Sequence, residues 1–176
     1  MKKIFKLRKL IKNQNLDAYI VPKNDEFFGE YAFPNRLKSI SNFSGSAGFA
    51  IITSALNYLF IDGRYLIQSK MESGKNFKIT EIPYKYPKNV LDVNKIKRIG
   101  YDPSVFTTNV LKRYFGNKFK LISIKKNLID LISLDKKKEK KNFFILDNKT
   151  AGETISSKIN RLHKIIRKNS AENIFV

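Results

Sequence analysis

Residues 36–68 read RLKSISNFSGSAGFAIITSALNYLFIDGRYLIQ, and the reading of this stretch decides the fold. Phe49–Thr53 (FAIIT) and Tyr58–Asp62 (YLFID) are short apolar runs, rich in β-branched and aromatic residues, separated by Ser54–Asn57. That is the signal of a β-hairpin with a four-residue turn. Gly45 and Gly48 sit in the turn that leads into the first strand, where a positive φ or a close backbone approach calls for a residue without a Cβ. Asp62 and Gly63 then turn the second strand into a helix running to about Met71, with Ser73-Gly74 as its stop. An Asp in that position can accept the helix's first amides. The SGSAG string does not make a phosphate-binding loop, because it lacks both the Lys-Ser/Thr ending and the third glycine.

Upstream of this stretch, Ile4, Phe5, Leu7, Leu10 and Ile11 recur at helical spacing over residues 2–14, with lysines on the opposite side. Asn15 is a plausible stop, and Ala18–Val21 reads as a short buried strand closed by Pro22. Residues 24–36, NDEFFGEYAFPNR, read as an irregular loop or short helix. Downstream, Phe77–Ile82 and Arg98–Tyr101 read as strands, and Thr107 or Thr108 caps a helix that ends near Gly116. Lys120–Ile124 reads as a further strand and Leu128–Ile132 as a short helix. A hairpin combined with helix–strand alternation predicts an α/β fold, a mixed sheet flanked by helices.

Composition narrows the function. The 176 residues carry 35 Lys+Arg against 15 Asp+Glu, a net charge of +20, but 28 of the cations are lysine. Lys, Ile and Asn share A/T-rich codons and fill 67 positions, so mutational bias accounts for the charge without an anionic partner. The absence of cysteine excludes disulfides, thiolate metal sites and a cysteine nucleophile. One histidine, His163, excludes a multi-histidine metal site. No apolar run approaches the ~20 residues that span a bilayer. Lys6, Arg8 and Lys9 interrupt the only stretch that resembles a signal peptide, so a cytoplasmic setting without a membrane partner is the expectation.

Residues 135–141, DKKKEKK, break the alternation with consecutive charges and read as part of a solvated linker over 135–147. Beyond it, Ile155, Ile159, Leu162 and Ile166 mark one face of a helix. Lys6–Val21 (KLRKLIKNQNLDAYIV) and Arg161–Val176 (RLHKIIRKNSAENIFV) align without a gap. Leu7/Leu162, Lys9/Lys164, Ile11/Ile166 and Val21/Val176 are identical pairs. The expectation is a domain over 1–134, the linker, and over 148–176 the start of a second similar domain, cut short within its first strand.

These residues resemble a known family. DAYIVP (Asp17–Pro22), Asp25–Glu26, Glu30–Tyr31, the SNFSGSAGFAIIT and FIDGRYLIQ strings, GYDPS (Gly100–Ser104) and KKNLIDLI (Lys125–Ile132) are similar to the N-terminal domain of aminopeptidase P. That is the X-Pro aminopeptidase family of the creatinase/prolidase group. AGETISSKINRL (Ala151–Leu162) resembles the opening of the second N-terminal module in its long, three-domain members.

The resemblance implies that the bond before a penultimate proline is cleaved by a C-terminal pita-bread domain. Two divalent metals, typically manganese, are held there by two Asp, one His and two Glu, a bridged pair of hard cations that generates hydroxide. No cluster in this chain mimics those ligands, so no catalytic residue, metal residue or cofactor is assigned to it. The resemblance implies instead a non-catalytic cap that borders the active-site entrance and takes part in subunit association. Arg64 and Arg36 are its substrate-entrance candidates, since a guanidinium can bind a peptide carboxylate or carbonyl. For each, the favoured reading is an ion pair that fixes its own loop. Asp25, Glu26 and Glu30 could meet a substrate amine or serve as local caps. Gly45, Gly48, Asp62 and Gly63 are read as architecture. The expectation is a truncated or decayed gene product, inert alone. The alternatives are a module that assembles with a separately encoded remainder of the peptidase or with itself and, least favoured, a basic nucleic-acid-binding domain.

Overall fold

A computed structural model describes residues 2–29, 32–132 and 144–174 of the chain. It divides into two compact units, residues 1–137 and 138–176.

In the first unit the chain runs α1 (Lys2–Asn13), β1 (Ala18–Pro22), α2 (Arg36–Ser41), β2 (Gly48–Thr53) and β3 (Asn57–Asp62). It continues through a single 3-10 turn, Gly63–Tyr65, into α3 (Leu66–Ser73), β4 (Lys78–Ile82), α4 (Pro87–Val90), β5 (Arg98–Tyr101), α5 (Thr108–Phe115) and β6 (Lys120–Ser123). The strands form one sheet in the order β4-β3-β2-β1-β5-β6. β2 runs antiparallel to both its neighbours, whereas β3–β4, β1–β5 and β5–β6 pair in parallel. All the strands but β2 therefore end on one edge of the sheet.

The hairpin forms where the apolar runs place it, but Asn57 pairs with Ile52, so only residues 54–56 connect the strands. The Thr53 hydroxyl closes that connection, accepting the Leu56 amide at 2.8 Å. β1 lies in the middle of the sheet, and all five of its residues are buried. That is why it reads as an unbroken apolar run rather than an alternation.

Alternate residues build two cores. Tyr19, Val21, Ala50, Ile52, Leu59 and Ile61 pack beneath α1 and α2 with Ile4, Leu7, Ile11 and Leu37. Ile20, Phe49, Ile51, Phe60 and Ile99 face the other way, against Leu91, Leu111 and Phe115. The result is a sheet covered by helices on both faces.

The ends of the helices follow from named residues. Asn15 leaves α1 at φ 54°, a left-handed turn that asparagine tolerates. The Leu16 amide there donates to the Ile11 carbonyl. Asn35 caps α2 and Thr107 caps α5, each accepting a backbone amide three residues on. Asp62 starts the 3-10 turn, so the helix expected to begin at Gly63 becomes regular only at Leu66.

The helix expected over Leu128–Ile132 is instead a pair of turns. The Asn127 side chain accepts the Ile129 amide, and its carbonyl accepts the Asp130 amide, diverting the backbone from helical pairing. Asn127 also donates to buried Asp102, which binds the amide and hydroxyl of Ser104. The GYDPS and KKNLIDLI strings are thus joined by one buried polar link.

The second unit contains α6 (Asn148–Ala151) and α7 (Ile155–Lys168), capped by Asp147 and Thr154. Of the expected linker, residues 135–143, including all of DKKKEKK, lie outside the described residues. The end of α7 repeats the end of α1 to the residue. Asn169, Ser170 and Ala171 donate to the carbonyls of Ile165, Arg167 and Ile166. Gln14, Asn15 and Leu16 donate to Leu10, Lys12 and Ile11, their counterparts in the alignment. Ser170 has φ 50°, where Asn15 has φ 54°. Asn173 and Ile174, where the repeat would open its strand, pair with no strand among the described residues; Phe175 and Val176 lie outside them.

Candidate functional site

The ends of β1, β3 and β4, the start of β2, and the segment from Val105 into α5 enclose a cleft of about 670 Å³. The connection after β4 crosses to the far side of β1, so the strand order reverses direction between β1 and β5. In open α/β sheets, the carboxyl ends of the strands at such a reversal form the crevice where ligands bind.

Each wall has a local cause. Gly48 stands at φ +154°, and a Cβ there would lie 2.7 Å from the Phe60 carbonyl oxygen, so glycine lets the chain enter β2 against β3. A Cβ on Gly45 would collide with the Phe43 ring, and one on Gly63 with the Glu81 carboxylate. These are architectural positions, and of the three only Gly48 lines the cleft. The SGSAG loop is tied to α3 by Glu72, which accepts the Ser44 amide and hydroxyl, each at 2.7 Å. Ser46 and the Tyr65 hydroxyl share a hydrogen bond of 2.7 Å.

The two arginines singled out in the sequence part company. Arg64 lies at the cleft with its side chain 70% exposed. Its Nε donates to Asp62 Oδ1 at 2.9 Å, and the same carboxylate accepts the Arg64 amide at 3.0 Å. These bonds, the side-chain one foremost, hold the Asp62 carboxyl below the usual range for Asp. The guanidinium also lies over the Tyr65 ring, 5.4 Å from its centroid.

Arg36 opens α2 with its side chain only 4% exposed. Its Nε and Nη2 donate to both oxygens of Asp130 at 2.8 and 2.9 Å, and Nη2 also to Glu26 at 2.8 Å. Those hydrogen bonds, led by Asp130, outweigh burial and keep the guanidinium charged. Nη1 is buried without a partner. Arg36 is outside the cleft lining and clamps the loop after β1 to the turn at 127–130. In this structure Arg36 is held in ion pairs with Asp130 and Glu26 and is not presented to the cleft.

Asp25 accepts the amides of Phe27 and Gly29, the latter foremost in holding its carboxyl below the usual range. Asp25 and Glu26 thus serve as cap and clamp, and Glu30 lies outside the described residues.

Sequence reasoning missed the other side of the cleft. Phe49 stacks on Tyr114 at a centroid distance of 4.7 Å and on Phe60 at 4.9 Å, and Tyr86 stacks on Tyr114 at 5.8 Å. Burial, and secondarily Tyr86, push the Tyr114 phenol above its ordinary pKa. Lys23, only 7% exposed, and Arg113 also line the cleft, and among the described residues Asp62 is the one carboxylate in its lining. Lys23 immediately follows the apolar run of β1, which is the signal that could have marked it.

Among the described residues, no group of three or more His, Cys, Asp or Glu side chains could hold a metal ion. The residues present do not fit a dinuclear metal centre. Among them, too, no helix is long and apolar enough to cross a membrane.

Comparison with known proteins agrees with the fold. The profile of the creatinase/prolidase N-terminal domain matches residues 3–131. A probable Xaa-Pro aminopeptidase P of Laccaria bicolor is 33% identical over 187 residues, covering 99% of this chain and 29% of the relative. The Xaa-Pro aminopeptidase 1 of Dictyostelium discoideum is 33% identical over 199 residues, covering 99% and 31%. The chain spans about 30% of the length of these curated relatives.

Among solved structures, the X-prolyl aminopeptidase of Caenorhabditis elegans matches with a TM-score of 0.70 at 25% identity, over 96% of this chain and 31% of that one. It is described as a cytosolic enzyme with a di-nuclear active site. The N-terminal domain of the peptidase PepQ from Mycobacterium tuberculosis shares the fold, with a TM-score of 0.59 at 18% identity, over 75% of this chain and 98% of that domain. With the mixed sheet, its helical layers and a profile match across most of its length, the chain belongs to the creatinase/prolidase N-terminal domain family.

Proposed function

We propose that this chain is the non-catalytic N-terminal part of an aminopeptidase P-like metallopeptidase, a cap that shapes the approach of peptide substrate and takes part in association. The observation that carries this reading is the profile match to the N-terminal domain over residues 3–131. The relatives named Xaa-Pro aminopeptidase support the substrate class. The exposed Arg64 beside the cleft is the residue that meets peptide at the entrance. Metal chemistry, with two divalent ions as in the Caenorhabditis enzyme, belongs to a catalytic portion outside these residues. The compartment is the cytosol, as described for that enzyme.

The test is direct. The purified chain, supplied with Mn²⁺ and an X-Pro peptide, is expected to release no N-terminal residue. Turnover that a chelator abolishes would overturn the reading.

A second reading rests on α7. Ile155 and Ile159 of its apolar face are 67% and 45% exposed. Unpartnered faces of that kind mark interaction surfaces. In this reading the chain assembles with a separately encoded catalytic part, and a pull-down that recovers no such chain would count against it.

A further inference from the structure

We draw no further inference here: the strongest candidate, the apolar surface patch of the second unit formed by the exposed Phe144–Leu146 stretch and the Ile155 and Ile159 face of α7, carries nothing beyond the second reading above, because nothing in the structure shows what covers it.

Discussion

α1 and α7 carry one pattern in two settings. Ile4, Leu7 and Ile11 of α1 correspond to Ile159, Leu162 and Ile166 of α7, and both helices end in a left-handed residue within the same set of hydrogen bonds. In α1 the three apolar residues are 7%, 0% and 2% exposed, because the sheet lies beneath them. In α7 none of the residues is buried, and Ile159 is 45% exposed. The helix and its cap are thus written locally, by periodicity and by a turn that tolerates positive φ. Burial comes only with a sheet to receive it.

Three substitutions can break or sharpen this contrast. The largest effect is expected from Leu7→Ala, which removes a fully buried side chain and leaves a cavity under α1. It should cost about 3 kcal/mol, read as a lower urea midpoint at unchanged slope. A loss of less than ~1 kcal/mol would mean that α1 is not anchored by this contact. Asn15→Ala should cost about 1 kcal/mol, because alanine pays the left-handed penalty that asparagine partly offsets. A neutral result would show that the turn, and with it the match to Ser170, is not under conformational demand. Ile159→Ser should move stability by no more than ~0.5 kcal/mol, since the side chain is half in solvent. A larger loss in the chain alone would show that the α7 face is already covered.

The same division between local and long-range causes decides what could be read from the sequence. The hairpin was legible because FAIIT and YLFID are short β-rich runs. The stops at Asn15, Gly74 and Gly116 were legible because those residue types end helices for backbone reasons. The turns at 128–132 were not, because Asn127 commits its side chain to Ile129 and Asp102 only in the folded chain.

The cleft was half legible. Arg64 and Gly48 stood out as a motif, but Lys23, Tyr86, Arg113 and Tyr114 meet only once the crossover brings the ends of β1 and β4 beside α5. Arg36 could not be told from Arg64 in sequence. What separates them is Asp130, whose carboxylate reaches Arg36 from 94 residues away.

The outer strands carry a different consequence. β4 and β6 are the outer strands of the sheet, and among the described residues neither pairs with a further strand on its outer side, an invitation for another chain to extend the ladder. Each opens on an exposed lysine, Lys78 and Lys120, and β4 is followed at once by Pro83, which has no amide to donate. Copies that meet edge to edge bring like charge together on a molecule that already carries +20. The lysine excess thus acts as a guard against fibrous self-assembly, whatever its origin.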